Sequence, residues 1–158
     1  MAIKKIVCCT DFSNNSEKAF IIAMDMAERY QAELSIVHVM PPVVNPVVTD
    51  TEWVLPIQSE NSLILKLEER MQQTYGSRVE NKHNCKLVVL SGHVSSEILK
   101  YLEENQVDLV IVGAFGLTGM GLVLFGSVAK RISHKARCSV MIVRDMEEYQ
   151  DPSSVAPG

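Results

Sequence analysis

Five short apolar runs, separated by stretches of helical spacing, constrain this chain more than any other feature. Residues 6–10, 34–39, 86–90, 109–112 and 139–143 are each too short for a buried helix, and Val, Ile, Leu and Cys dominate them. Such runs read as strands buried on both faces. Between them, residues 16–30 place Ala19, Phe20, Ala23, Met24, Ala27 and Tyr30 at helical intervals. Residues 63–75 do the same with Leu63, Leu67 and Met71, and residues 94–105 with Ile98, Leu99 and Leu102. A short helix is expected over 127–134, with Lys130, Arg131, Lys135 and Arg137 towards its C-terminal end, where cations suit the helix dipole. Apolar strands alternating with amphipathic helices imply a parallel sheet covered on both sides. In open sheets of this class, ligands bind outside the C-terminal ends of the strands, where the winding direction reverses.

Two segments break the alternation. Residues 40–61 carry Pro41, Pro42, Pro46 and Pro56 with Trp53 among polar neighbours, so a long loop is expected there. Residues 145–158 are polar, hold Pro152 and Pro157, and read as a loose tail behind a single domain spanning 1–144.

A length of 158 residues suits one hydrophobic core. With 15 Lys and Arg against 19 Asp and Glu, and no basic block, nothing in the charge pattern supports a nucleic-acid or membrane-surface partner. The N-terminus lacks the apolar run of a signal peptide. No apolar stretch approaches the roughly 20 residues of a membrane span, and a cytoplasmic location is expected. Cys8, Cys9, Cys85 and Cys138 form no C-x-x-C pair and are expected to be reduced and mostly buried, with Cys8 and Cys9 on opposite faces of their strand. The four histidines show no H-x3-H or H-E-x-x-H spacing, which argues against a histidine metal site.

The chemistry concentrates after the fourth strand. From Gly113 to Ser127 the chain holds five glycines and enters a helix at Ser127. Glycine lets backbone amides approach a ligand closely, and amides at a helix start favour a phosphate. The Ser127 hydroxyl can add one hydrogen bond. A plain connecting turn is the alternative. The segment lacks the lysine of a G-x-x-x-x-G-K-[ST] loop, and no Ser-His-Asp order has a nucleophile turn, so efficient hydrolysis is not indicated.

Gly113, Gly116 and Gly126-Ser127 form the pattern G-x2-G-x9-G-S. Together with Thr10-Asp11-Phe12-Ser13 after the first strand, His38-Val39 at the end of the second, and Gly126-Ser127-Val128-Ala129 followed by residues 138–143, it resembles the universal stress protein family in its ATP-binding branch. The resemblance runs from Ile3 to Arg144. It implies a Rossmann-like fold of the adenine nucleotide alpha hydrolase type, with a five-stranded parallel sheet in the order 3-2-1-4-5 and helices on both faces.

The resemblance also implies a nucleotide site built from Thr10, Asp11, Val39, Val112, Gly113, Gly116, Gly126, Ser127, Val128 and Ala129. In it Asp11 sits near the ribose, Val39 offers backbone groups to the adenine edge, Gly113 and Gly116 line ribose and phosphates, and Gly126, Ser127 and Val128 hold the phosphates. Asp11 could instead cap the first helix, and Val39 could simply pack a strand end. The ligand implied is ATP or another adenine nucleotide, with Mg²⁺ held mainly by phosphate oxygens. The family's habit also implies a homodimer paired through Ser139–Val143, alongside a protein partner that the residues do not identify.

The chain departs from the family in one respect. A basic or polar residue is common between the first two loop glycines and again after the second, where this chain has Phe115 and Leu117. Fewer cations near the phosphates should weaken ATP or favour a less charged ligand. Three functions follow as alternatives: a nucleotide-dependent regulatory module with little or no turnover, a slow ATPase or phosphoryl-transfer enzyme, and an interaction protein that has lost its nucleotide.

Overall fold

The computed structural model describes residues 2–42, 59–82, 84–116 and 126–145. Within them the chain runs β1 (Lys5–Cys9), α1 (Asn14–Tyr30), β2 (Glu33–Met40), α2 (Glu60–Met71), a π-helical turn (Gln72–Gly76), α3 (Ser77–Val79), β3 (Cys85–Ser91), α4 (Val94–Glu104), β4 (Leu109–Gly113), α5 (Ser127–Lys135) and β5 (Ser139–Val143). The five strands form one sheet in the order β3-β2-β1-β4-β5, and every neighbouring pair is parallel.

The continuous apolar runs are explained by a core on each face. Ile6 and Cys8 of β1, Leu34 and Ile36 of β2, and Leu109 and Ile111 of β4 pack with Phe20 and Ala23 of α1 and with Met71 and Tyr75. The alternate residues Val7, Val37, Val39, Val110 and Val112 pack with Ile98 and Leu102 of α4 and Ala129 and Ile132 of α5. Period-two alternation therefore separates two apolar sets rather than an apolar from a polar one. Cys8 belongs to the first core, while Cys9 packs against the second. Only Cys8 is fully buried; Cys9, Cys85 and Cys138 are half-buried, and all four are free thiols.

Local chemistry sets the helix ends. Ser13 caps α1, its hydroxyl accepting from the Ser16 amide at 3.2 Å. Gln31 closes the same helix in the left-handed conformation (φ 54°). Ser59 caps α2 in the same way as Ser13, through the Ser62 amide. The helix expected over 63–75 thus starts three residues earlier, at Glu60, and does not stay regular. It widens into the π turn, which buries Tyr75 against β1 and α1. Of its expected stripe, Met71 is buried and Leu63 and Leu67 are only partly so. In the expected loop 40–61, Met40 ends β2, and residues 43–58 lie outside the described residues.

Asp145, expected to start the tail, is buried, and its amide donates to the Asn15 side chain at 3.1 Å. Residues 146–158 lie outside the described residues.

Candidate nucleotide site at the strand ends

The sheet winds outward from its centre in both directions, so β1 and β4 are neighbours from which the chain departs to opposite sides. A cavity of about 600 Å³ opens at the C-terminal ends of these strands, where the switch in winding leaves a crevice. A volume of that order suits a small organic ligand.

The cavity gathers all ten residues singled out in the sequence. Thr10 and Asp11 come from the end of β1, Val39 from β2, and Val112, Gly113 and Gly116 from β4 and its exit. Gly126, Ser127, Val128 and Ala129 come from the start of α5. The intervening residues 117–125 of the glycine-rich segment, Leu117 among them, lie outside the described residues.

The side chains do different work from what their shared position suggests. The Thr10 hydroxyl is engaged within the protein, 2.5 Å from the Tyr75 hydroxyl and 3.2 Å from Ser16 Oγ, and it accepts from the Phe12 amide. Asp11 does not cap α1, since Ser13 does; Asp11 Oδ1 accepts instead from the Ser13 amide at 3.0 Å. That bond holds the carboxylate at the cavity wall. Val39 and Val112 line the cavity and also belong to the core beneath it.

The three glycines also divide by role. A Cβ on Gly113 would stand 2.9 Å from Asn15 Cβ and 3.0 Å from the Asn15 carbonyl carbon, so this glycine lets α1 approach β4. A Cβ on Gly116 would stand 2.6 Å from Asp11 Oδ2. Gly126 is different. Its φ of −63° and ψ of 159° are open to any residue, and a Cβ there would meet nothing closer than the Ala114 carbonyl oxygen at 3.4 Å. A side chain at this position would make ordinary contact with Ala114, Phe115 and Gly116, so neither backbone conformation nor a clash requires glycine here.

The start of α5 is a set of donors. Gly126 donates its amide to the Ala114 carbonyl at 2.7 Å, which pins the helix start against the exit of β4. Lys130 is the first residue to bond back within α5, to the Gly126 carbonyl. The amides of Ser127, Val128 and Ala129 therefore have no acceptor within the helix, and among the described residues no side chain caps it. These three amides, the Ser127 hydroxyl and the helix dipole converge where the cavity lies.

Residues outside those ten also line the walls, among them His38, Phe115, and Val94 and Ile98 from α4. The histidine Nδ1 donates to the Thr10 carbonyl at 2.8 Å, because a carbonyl only accepts. The ring packs 4.8 Å from Phe12, over which the Arg70 guanidinium lies at 4.0 Å. Burial lowers the His38 pKa, and the positive Arg70 adds to that; the Thr10 carbonyl and Asp11 oppose it. Burial pushes the Cys9 thiol up to about 12, so it lines the cavity as an unreactive group. A signal for α4 existed in its position: it begins just beyond the end of β3, so its first turns reach the strand ends.

Among the described residues, no group of three His, Cys, Asp or Glu side chains could hold a metal ion, and no helix is long and apolar enough to cross a membrane.

The model of the universal stress protein family matches residues 2–144. A universal stress protein of Methanocaldococcus jannaschii is 31% identical over 147 residues, covering 89% of this chain and 82% of its own. Among solved structures, universal stress protein UspA from Lactobacillus plantarum superposes with a TM-score of 0.68 at 22% identity, covering 91% of this chain and 99% of that one. A universal stress protein in complex with cAMP gives 0.67 at 19% identity, over 90% and 98% of the two chains. One from Archaeoglobus fulgidus in complex with dAMP gives 0.63 at 16%, over 90% and 99%.

Proposed function

The chain belongs to the universal stress protein family, and on that premise we propose that it is an adenine-nucleotide-binding regulatory module with little or no turnover. The observation that carries this reading is the convergence of the α5 amides, Asp11 and the Val39 strand end on one cavity at the switch in winding. Each end of a nucleotide has a fitting wall. Apolar groups of β2 and α4 suit a base, the Asp11 carboxylate suits ribose hydroxyls, and the start of α5 suits a phosphate. The cAMP and dAMP complexes of structural relatives support adenine as the base. ATP is the ligand implied by the loop spacing, and Mg²⁺, if present, would be held mainly by phosphate oxygens, because Asp11 is the single carboxylate in the cavity wall among the described residues.

Slow turnover or none follows from the groups present. Besides Asp11, the titratable wall groups among the described residues are His38, whose Nδ1 is engaged by Thr10, and the high-pKa Cys9. None is arranged with a second group as a base and orienter pair. A cytoplasmic location and an unidentified protein partner, whose binding the nucleotide would alter, belong to the same proposal.

The test is to denature freshly purified protein and identify what it releases by chromatography and mass spectrometry. An adenine nucleotide is expected in near-stoichiometric amount, or else saturable binding by titration calorimetry. Absence of both would overturn the reading and leave a nucleotide-free interaction protein. Steady phosphate release on ATP addition would favour the enzyme instead.

A further inference from the structure

The outward face of α5 carries one sign of charge. Lys130, Arg131, His134 and Lys135 are all exposed, and their spacing keeps them within about 140° of the helix surface. Ala129 and Ile132 are buried on the opposite side, in the core over the sheet. Residues 127–144 hold five Lys and Arg and no Asp or Glu, in a chain whose net charge is −4.

Helix stability does not account for this arrangement. The dipole favours cations in the last turn of α5, which covers His134 and Lys135 only. Lys130 and Arg131 are the fourth and fifth of its nine residues, too early to gain from it. Arg131 and Lys135 stand four apart, where like charges destabilise a helix. Exposed cations of other helices are matched instead, Arg29 with Asp25 on α1 and Lys100 with Glu104 on α4. Just past α5, Arg137 pairs with Glu103. Among the described residues, no ion pair engages Lys130, Arg131 or Lys135.

The size and surroundings of the face select its partner. Nine residues of helix span roughly 14 Å, room for a few carboxylates but not for the many phosphates that a duplex engages. The exposed large apolar residues among those described, Ile21, Tyr30 and Leu65, lie on α1 and α2. The face therefore has nothing to stack on a base or to enter a bilayer. The net negative charge of the chain also opposes an extended polyanion. We propose that the outward face of α5 docks a short, carboxylate-rich segment of a protein partner. Arg131 grips one carboxylate with its planar fork, and Lys130, His134 and Lys135 meet the neighbouring ones. None of the four lines the nucleotide cavity, so this surface stands or falls apart from the adenine-nucleotide reading.

Amide NMR of the isotope-labelled full chain, titrated with a peptide of alternating glutamate and alanine, reads the surface directly. Saturable shifts should gather on residues 130–135, weaken with added salt, and vanish when glutamine replaces glutamate in the peptide. No binding, or shifts centred elsewhere, would overturn the proposal. So would a DNA duplex, or phosphatidylcholine vesicles containing phosphatidylserine, that bind as tightly as the peptide. Glu147→Gln/Glu148→Gln/Asp151→Asn tests the chain's own acidic tail as occupant: if these changes alone move the α5 signals, the tail holds the face and the proposal fails.

Lys130→Glu/Arg131→Glu should lose peptide affinity at least tenfold. Lys18→Glu/Lys66→Glu, an equal change of charge on α1 and α2, should keep it. Affinity unchanged in the first variant, or reduced equally in both, would overturn the proposal. The first variant should also melt no lower than the parent, because a carboxylate at position 131 suits Lys135 four residues on. A melting temperature well below the parent's would show that the fold, not a partner, uses the cationic face.

Discussion

The Tyr75 hydroxyl lies 2.5 Å from the Thr10 hydroxyl, and this one contact ties the π turn after α2 to the end of β1, next to the cavity. Both side chains are buried, and Thr10 Oγ1 also meets Ser16 and accepts from the Phe12 amide. The two residues are 65 positions apart, so the bond anchors the loop that carries Asp11 to a remote part of the chain. Tyr75→Phe keeps the ring packing on Phe20 and removes only this bond. It should cost about 1 kcal/mol of stability, or roughly 2–4 °C in melting temperature for a chain of this size. Nucleotide affinity should fall as well, because the Asp11 loop is less firmly held. Thermal denaturation beside calorimetric titration checks both.

The glycines at 113 and 126 should respond oppositely to the same change. Gly113→Ala places a Cβ against the backbone of α1, which must shift, and it should destabilise the fold by about 1–3 kcal/mol. Gly126→Ala and Gly126→Val meet no such contact and a permitted backbone conformation; they should fold like the parent yet lose nucleotide, because the added side chain stands beside the α5 start where a phosphate is proposed to sit. Ser127→Ala should bind more weakly than the parent by about 1.5–3 kcal/mol, the contribution of one hydrogen bond to a charged group. Urea denaturation separates the first variant from the others, and titration calorimetry separates the others from the parent. A Gly126→Val protein that binds like the parent would refute the phosphate role of the helix start.

His38 should make stability depend on pH in a predictable direction. Its pKa in the fold is below the ordinary 6.5, chiefly through burial. Between the folded and unfolded pKa values the unfolded chain binds the extra proton, so stability falls as pH drops below about 6.5 and levels off below the folded value. Above 6.5 both states carry a neutral ring and this contribution to the slope vanishes. Comparing urea midpoints at pH 7.5 and 5.5 for the parent and His38→Gln checks it: the parent should lose more stability than the variant over that interval.

We also propose that two copies pair through β5. The strand lies at the end of the sheet order, beside β4 alone, and Val140, Met141 and Ile142 are only partly buried. An apolar edge of this kind is an association hazard unless it is covered. Light scattering at micromolar concentration should give twice the chain mass, and Met141→Pro, which removes a backbone donor from that edge, should shift it towards the monomer. A monomer mass for the parent would rule the pairing out.

Much of the fold was legible because its signals are local. Apolar runs flanked by turn residues marked each strand, and helical spacing over 16–30 marked α1, which starts two residues earlier, at Asn14. The order 3-2-1-4-5 came from the resemblance of Thr10-Asp11 and of the glycine spacing to a known family, not from periodicity, and the sheet has that order. The π turn was not legible. A widened turn has no residue signature within the helix; Gln72–Gly76 widens where Tyr75 packs against Thr10, a partner that pattern within α2 cannot reveal.

The sequence by itself determined the alternation of strand and helix and the parallel class, because these follow from local apolar runs and helical spacing; the ten residues that share one end of the sheet came from its resemblance to a known family. Only the tertiary structure decided what each of those residues does there. Thr10 turns its hydroxyl inward to Tyr75, Gly113 admits α1, Gly116 admits the Asp11 carboxylate, and Gly126 pins the start of α5 to the Ala114 carbonyl. It also brought His38 and the start of α4 into the wall. These roles depend on atoms far apart in the chain that meet only after the sheet has formed and the helices have packed on it, and local pattern carries no record of such meetings.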